Sequence, residues 1–305
     1  MRTRKAASTC ALVAALATLG GAASPWPAKP WPLYSAADAA RNETCVFILS
    51  TPGSGSSTMV ELFNQHTSCE ISGENAGEFM DLARFVEDFE RADSMYRGDV
   101  HAERAWHKVY DRAAVTRAQD GLVRALLNPR NATCWGFKEI RYGREPHLDT
   151  FVHDVAFLSA MCANAKVVLH SRAALEPELE SSVLRGRAEA RKKSAMQRAC
   201  FDVFARGAWA AAGGRMGEIV VNASGLSERD LAYVRAKCDA ATAVAEARAF
   251  RHAERRPLAF RHTLEDYLER TPQYDALWDY VGLPSPSDHP SISIRTPDRS
   301  SKTHD

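Results

Sequence analysis

The sequence predicts an α/β fold, with a central parallel sheet flanked by helices on both faces. Short continuous apolar runs, rich in β-branched and aromatic residues, recur along the chain and suit buried parallel strands. Amphipathic stretches of helical length separate these runs, as expected for parallel strands joined by crossover helices. The 305 residues suffice for two average domains or one larger α/β domain, and either buries a sizeable core.

The first predicted unit is a strand, a tight loop and a helix. Cys45–Leu49 is a continuous apolar run that stops at the turn-forming residues 51–53, as a buried central strand would. Apolar residues at helical spacing follow over 58–63 and give way at Asn64.

Later elements alternate in the same way. Strands are predicted at three further runs, Cys134–Ile140, Lys166–His170 and Pro257–Phe260. Helices are predicted at 79–90, 102–127, 149–163, 177–206, 226–250 and 272–281. We expect one folded domain over 42–284, followed by a Ser- and Pro-rich tail, 285–305, that lies loose on the surface.

The N-terminal segment predicts entry into the secretory pathway. In residues 1–23, the basic residues Arg2, Arg4 and Lys5 precede a small, Ala-rich apolar run, which is typical of a signal peptide. The run is shorter than the ~20 strongly apolar residues of a spanning helix, which favours cleavage over retention as a signal anchor. The Pro-rich segment 24–41 suits an extended linker. We therefore expect a protein of the Golgi lumen or a secreted one, attached to a membrane only if the leader stays uncleaved.

Two further features agree with an oxidising compartment. Glycosylation sequons begin at Asn42, Asn131 and Asn222. Outside the leader the cysteines are six, which allows three disulfides in any of 15 connectivities: Cys45, Cys69, Cys134, Cys162, Cys200 and Cys238. Their spacing fits no zinc pattern, and the alternative is six buried thiols in a reducing compartment.

Charge and composition exclude some classes of protein. The chain has 39 basic and 38 acidic residues, with 45% hydrophobic and 25% charged residues. This is an ordinary globular composition, so disorder is excluded as the main state. A dedicated nucleic-acid binder is also disfavoured, because there is no excess of Lys and Arg to neutralise phosphates.

The loop after the first strand is the clearest candidate for a binding site. It reads Gly53, Ser54, Gly55, Ser56, Ser57 and Thr58. Such a loop can point its N–H groups into one concavity, and the following helix adds its own N–H groups and positive dipole end, so that together they hold a phosphate. The loop lacks the Gly-Lys-Ser/Thr ending of nucleoside triphosphatases, which disfavours ATP or GTP hydrolysis. The alternative is a Gly/Ser turn that binds no ligand.

Residues 51–66, TPGSGSSTMVELFNQH, resemble the 5′-phosphosulfate loop and following helix of sulfotransferases that use 3′-phosphoadenosine 5′-phosphosulfate. They look closest to the Golgi carbohydrate branch that sulfonates a 6-hydroxyl of N-acetylglucosamine or galactose. That branch places its catalytic glutamate where this chain has Glu74, in Ile-Ser-Gly-Glu-Asn. The resemblance implies a P-loop-like sulfotransferase fold, the phosphosulfate donor and no metal.

Segments further along the chain extend the resemblance over most of 44–284. Residues 166–172 are similar to the strand that leads into the 3′-phosphate site, which implies that Arg172, with Ser181 or Ser182, binds that phosphate. Residues 264–268 and 277–284 look like the family's Tyr-Glu-Asp-Leu segment and its terminal Leu-Gly-Leu-Pro helix end.

The chain departs from the family pattern in two places. Gly53 stands where the family has a Lys or Arg that stabilises charge on the leaving phosphate. Lys138 lies at the end of a predicted strand, where ligands gather in open α/β sheets, and is the candidate substitute, with Arg141 behind it in a substrate-binding role. An ordinary surface lysine is the alternative for Lys138. In the 3′-phosphate segment, Arg172 is followed by Ala-Ala-Leu-Glu-Pro rather than an Asp-Pro-Arg-like turn.

The expected reaction is in-line transfer of a sulfuryl group to a hydroxyl of a carbohydrate or glycoprotein acceptor. Glu74 would be the general base, and the 51–58 loop would hold the leaving 5′-phosphate. The rival hypothesis is a non-catalytic family member that binds the nucleotide or a glycan, which Gly53 favours. A tyrosine or small-molecule sulfotransferase is a further alternative, whereas a small-molecule kinase lacks the lysine that such loops need.

Overall fold

The fold is built on one five-stranded, entirely parallel sheet with the strand order β2-β3-β1-β4-β5. The computed structural model describes residues 41–79, 81–82, 85, 112–144, 148, 151–159, 161–173, 192–201, 227–230, 232–234, 236 and 259–286. The strands are β1 Thr44–Ser50, β2 Cys69–Ser72, β3 Cys134–Glu139, β4 Ala165–Ser171 and β5 Phe260–Thr263. The helices are α1 Ser56–Asn64, α2 Arg112–Leu127, α3 Phe151–Ser159, α4 Leu264–Glu269 and α5 Pro272–Val281, and residues 192–201 are also helical.

The central strand β1 is buried on both faces, as a parallel strand covered by helices should be. Phe47 and Leu49 face one apolar core, which α3 and the 192–201 helix complete. Val46 and Ile48 face a second core, which α1 and α5 complete. The α/β fold with helices on both faces of the sheet is therefore confirmed.

The crossover connections define where a ligand could bind. The helix that follows β1 packs on one face of the sheet, whereas α3 after β3 and the 192–201 helix after β4 pack on the other. Helices of neighbouring strands thus lie on opposite faces next to the carboxyl end of β1, and in open α/β sheets this is the usual ligand position.

Several predicted elements match the structure. The strands at Cys45–Leu49, Cys134–Ile140 and Lys166–His170 are confirmed as β1, β3 and β4, and the helices at 149–163 and 272–281 as α3 and α5. The described half of the 102–127 helix is α2, and part of the 177–206 helix is found at 192–201. The predicted leader and linker, residues 1–40, and the tail beyond residue 286 lie outside the described residues.

Two strands differ from the sequence prediction. The strand predicted at Pro257–Phe260 lies at Phe260–Thr263, because the pairing partner of β4 includes the polar Arg261 and His262 rather than the preceding apolar residues. β2 was not predicted, since it is four residues long and only Ile71 is fully apolar and buried.

Disulfides fasten the amino ends of the strands. Cys69 at the start of β2 is bonded to Cys134 at the start of β3, and Cys45 in β1 is bonded to Cys162, just before β4. Cys200 is also disulfide-bonded. These bonds agree with the predicted oxidising compartment. Within the described ranges, no helix has the length and apolar character needed to cross a bilayer.

Candidate functional site

The loop between β1 and α1 has the conformation of a small cradle. Gly53 and Gly55 both take left-handed backbone conformations, with φ of 76° and 81°. Gly55 is the N-cap of α1, and a Cβ there would lie 2.9 Å from the Leu264 side chain. Glycine thus serves both the turn and the close packing of α4 against the loop.

Several donors of this cradle are left without a partner. The backbone N–H groups of Gly55, Ser56 and Ser57 have no acceptor in the part of the chain that the structure describes, and no side chain caps α1. The hydroxyl groups of Thr51 and Ser54 are buried and also lack a partner there. Unpaired N–H groups at a helix start, with unpaired hydroxyls beside them, are the components of an anion site.

Not all amides predicted to bind phosphate are available in this conformation. The Ser54 N–H donates to the Thr51 carbonyl at 3.2 Å, and the Thr58 N–H donates to the Gly55 carbonyl at 3.0 Å. Of the hydroxyls, Ser56 is buried, Ser57 is exposed and Thr58 is half-buried. The cradle therefore centres on residues 55–57.

Two buried histidines, His170 and His262, lie against the loop and are hydrogen-bonded to it through His170. His170 Nε2 lies 3.2 Å from the Ser54 carbonyl, and the Nδ1 atoms of His170 and His262 lie 3.2 Å apart. A carbonyl can only accept a hydrogen bond, so neutral His170 carries its proton on Nε2. Its Nδ1 then accepts a hydrogen bond from the Nδ1–H group of His262. The two histidines are 92 positions apart in the chain, so nothing local in the sequence indicates their contact.

Burial determines the charge state of this pair. Desolvation, followed by the charges of His262 and Arg261, holds the pKa of His170 well below its usual value. Desolvation also lowers the pKa of His262 to about 4. The positive charge of Lys138 makes a smaller contribution to the lowered pKa of His170.

Arg172 lies against the same loop. Its Nε donates to the Gly53 carbonyl at 3.0 Å, and its own carbonyl accepts a bond from Arg198 at 3.0 Å. A guanidinium therefore lies beside the position where the resembled family has a basic side chain. Ser181 and Ser182, the predicted partners of Arg172, lie outside the described residues.

The structure brings the predicted base and the predicted cation into direct contact. Lys138 Nζ donates to Glu74 Oε1 at 2.5 Å, and Arg141 Nη1 lies 3.4 Å from Glu74 Oε2. Lys138 is nearly buried, with 9% of its side chain exposed, whereas Glu74 is 34% exposed. The carboxylate can therefore meet both a buried cation and a molecule arriving from solvent.

Positive charge is concentrated at the end of β3. Burial, and then the neighbouring Arg141 guanidinium, lowers the pKa of Arg144. Lys138, Arg141, Arg144 and Arg172 outnumber the carboxylates Glu74 and Glu139, so the net charge of this group attracts anions.

Two buried residues at the site were missed by sequence reasoning. Gln197 donates its side-chain amide to the carbonyls of Ser50 and Ile140, which ties the carboxyl ends of β1 and β3 together. Glu139 is fully buried and accepts hydrogen bonds from the 75–77 segment and from Arg141. For Glu139, the one signal available in the sequence was its position next to Lys138 in a strand, where alternate residues face opposite sides of the sheet.

No group of three or more His, Cys, Asp or Glu side chains that could hold a metal ion occurs among the residues with described positions. No model of a known protein family matches the chain, and no curated protein matches it either. Function must therefore be inferred from the geometry of the site and from the resemblance of its motifs.

Proposed function

We propose that the protein is a sulfotransferase with a P-loop-like sulfotransferase fold, which transfers a sulfuryl group from 3′-phosphoadenosine 5′-phosphosulfate to a hydroxyl of a carbohydrate acceptor in the secretory pathway. The observation that carries the proposal is the cradle of unpaired N–H groups at residues 55–57, at the carboxyl end of the central strand. A 5′-phosphate with its bridging oxygen fits such a cradle. The Glu74–Lys138 pair on the neighbouring strand end supplies an acid–base group and a cation.

In this reaction the acceptor oxygen attacks sulfur while the bond between sulfur and the 5′-phosphate oxygen breaks. Glu74 takes the hydroxyl proton, and the products are a sulfate ester and adenosine 3′,5′-bisphosphate. The departing phosphate gains negative charge, which the helix N–H groups and a nearby cation stabilise.

Two cations are candidates to replace the basic residue that is absent at Gly53. Lys138 is bonded to Glu74, so it can act where the substrate hydroxyl attacks sulfur. Arg172 contacts the Gly53 carbonyl and can act on either phosphate of the donor. Positioning and charge stabilisation supply most of the catalysis in the related phosphoryl transfers, and these groups suit that role.

A second candidate function is binding of the nucleotide or a glycan without transfer. Gly53 favours it, because the loop itself carries no cation for the leaving group. In that case Glu74 and Lys138 would neutralise each other as a structural ion pair.

The first stage of the test is binding of adenosine 3′,5′-bisphosphate, followed by thermal unfolding. At 100 times its dissociation constant, the ligand should stabilise the protein by about 2.7 kcal/mol. Arg172→Gln should reduce this effect, whereas Arg130→Gln, which removes a highly exposed guanidinium bonded to Glu70, should not. Absence of any stabilisation of the wild type contradicts the transferase and also the nucleotide-binding form of the second candidate.

The second stage separates the enzyme from the binding protein. Labelled donor is incubated with a panel of sugars, and transfer to one of them identifies an enzyme. Glu74→Gln should lower kcat by about 10²- to 10⁴-fold, the usual contribution of a general base, while bisphosphate binding is retained. Glu70→Gln removes a carboxylate of similar charge on β2 and should leave kcat unchanged. Binding with no transfer to any sugar supports the second candidate.

A further inference from the structure

Glu139 has the environment of a carboxylate that holds other groups in place. It ends β3 and is completely buried. Its Oε2 accepts the backbone N–H groups of Asn75 at 3.2 Å and Gly77 at 2.9 Å. Its Oε1 accepts the Ile140 N–H at 2.8 Å and Arg141 Nη1 at 2.6 Å. Four donors from three directions saturate one buried carboxylate, which is the condition for keeping such a charge inside a protein.

The segment that Glu139 holds is the one that carries Glu74. Ala76 and Gly77 both have positive φ, 60° and 85°, and for alanine this conformation is unfavourable without tertiary contacts. The two N–H groups donated to Glu139 lie one and three residues after Glu74. The backbone that sets the direction of the Glu74 side chain is thus fastened to the end of β3, next to Lys138.

Arg141 links the two carboxylates. Its Nη1 lies 2.6 Å from Glu139 and 3.4 Å from Glu74. Glu139 therefore also fixes the guanidinium that approaches the second oxygen of Glu74, and it leaves Lys138 as the partner of the first.

We propose that Glu139 is the positioning residue of the site: it holds the 74–77 segment and Arg141 so that the Glu74 carboxylate faces Lys138. The inference rests on the proposed function, because the Glu74–Lys138 pair is the catalytic pair only in a transferase. Glu139 itself touches neither donor nor acceptor in this scheme, since both of its oxygens are occupied by protein donors.

The substitution Glu139→Gln tests this directly. One oxygen is replaced by an NH₂ group, which would face N–H donors and cannot accept from them. Glu43→Gln is the matched control, since Glu43 is also a largely buried carboxylate, bonded to Arg124 at 2.6 Å and to the Trp135 N–H at 3.1 Å. Glu43 precedes β1, so it lies at the amino end of the strands, whereas the site lies at the carboxyl end.

The first readout needs no enzymatic activity. The rate at which formaldehyde and a borohydride methylate Lys138 is measured by mass spectrometry on the folded full-length protein. Glu139→Gln should raise this rate about tenfold, and so should Glu74→Gln, because both weaken the charge-assisted bond between Lys138 and Glu74. Glu43→Gln should leave the rate unchanged. A rate in Glu139→Gln within twofold of the wild type overturns the proposal. If Glu139→Gln does not fold, Glu139→Asp replaces it with the same expectations, since its shorter side chain cannot reach both sets of donors.

The second readout is a double-mutant cycle on transfer. Glu139→Gln should lower kcat at least tenfold and leave the donor KM unchanged, because the 51–58 loop is not altered. In a Glu74→Gln background it should cause no further loss, since a residue that acts through Glu74 has nothing left to position. Equal losses in both backgrounds overturn the proposal. If the wild type transfers nothing, the proposed function fails by itself, and the Lys138 methylation rates still decide whether Glu139 positions the pair.

Discussion

At the residue scale, the loop depends on neutral histidines. Neutral His170 donates from Nε2 to the Ser54 carbonyl and accepts from His262 at Nδ1, whereas a charged ring could not accept there and is disfavoured by burial. The His262 Nε2 atom is buried with no partner in the described structure, so a proton added there would be poorly solvated. Protonation at low pH should therefore disturb the His170–His262 pair that holds the loop.

We predict that the protein loses stability as the pH falls from about 6.5 to about 4. The pKa of His170 and that of His262 are lower in the folded than in the unfolded chain, so the unfolded chain binds more protons in this window. Each histidine then contributes roughly 1.4 kcal/mol of lost stability per pH unit. Above pH 6.5 this contribution is fully present and constant.

Urea unfolding at pH 7, 6 and 5 checks this prediction. His262→Asn serves as the comparison, because its amide can still donate to His170 Nδ1 but does not titrate. The dependence of the unfolding free energy on pH should be shallower in this variant. The same slope in both proteins would contradict a contribution of His262 to the acid sensitivity.

The sequence could predict site residues only where the signal is local. Glu74 and Lys138 were inferred from a motif spacing and from a strand end, and the structure places them in contact, although their roles remain predictions. Glu139 and His170 act through partners 62 to 116 positions away, which only the folded sheet brings together. A buried polar side chain is recognisable as functional only when its partners are known.

At the element scale, Gly136 in β3 has a φ of 157°, and a side chain there would collide with the backbone of β1. This residue pairs with Val46, and a Cβ at position 136 would lie 1.9 Å from the Val46 carbonyl oxygen. No side-chain adjustment can relieve a clash with backbone.

We predict that Gly136→Ala destabilises the protein by more than about 3 kcal/mol, because β1 and β3 must separate to accept the methyl group. Gly121→Ala is the matched control, since a Cβ there meets nothing within 4 Å and alanine favours the helix α2. Denaturant unfolding of both variants measures the difference. Equal stability of Gly136→Ala and the wild type would contradict the close packing of these two strands.

Strand prediction succeeded where burial on both faces leaves a continuous apolar run, as in β1, β3 and β4. It failed for β2 and misplaced β5, which lie at the two edges of the sheet. Edge strands need fewer apolar residues, and β5 holds the polar His262 inside the fold only because His170 on β4 bonds to it. That compensation is tertiary and leaves no trace in local sequence.

At the scale of the whole molecule, the disulfide bonds and the candidate site lie at opposite ends of the strands. The disulfides Cys45–Cys162 and Cys69–Cys134 join the amino ends of the strands, whereas the 51–58 loop and the Glu74–Lys138 pair lie at the carboxyl ends. The exposed sequon residues Asn42 and Asn131 also precede β1 and β3. Glycans there would leave the candidate site accessible.

This separation predicts that losing a disulfide affects stability and leaves the site intact. Replacing Cys69 and Cys134 by Ser opens a link that spans 65 residues, and loss of that constraint on the unfolded chain should cost about 4 kcal/mol. Urea unfolding of the double variant at neutral pH measures the cost. The dissociation constant for adenosine 3′,5′-bisphosphate should stay within twofold of the wild-type value, because the contacts of Gln197 with the carboxyl ends of β1 and β3 persist. A folded variant that binds the bisphosphate tenfold more weakly would show that the disulfide-bonded amino ends of the strands and the 51–58 loop are coupled through the strands.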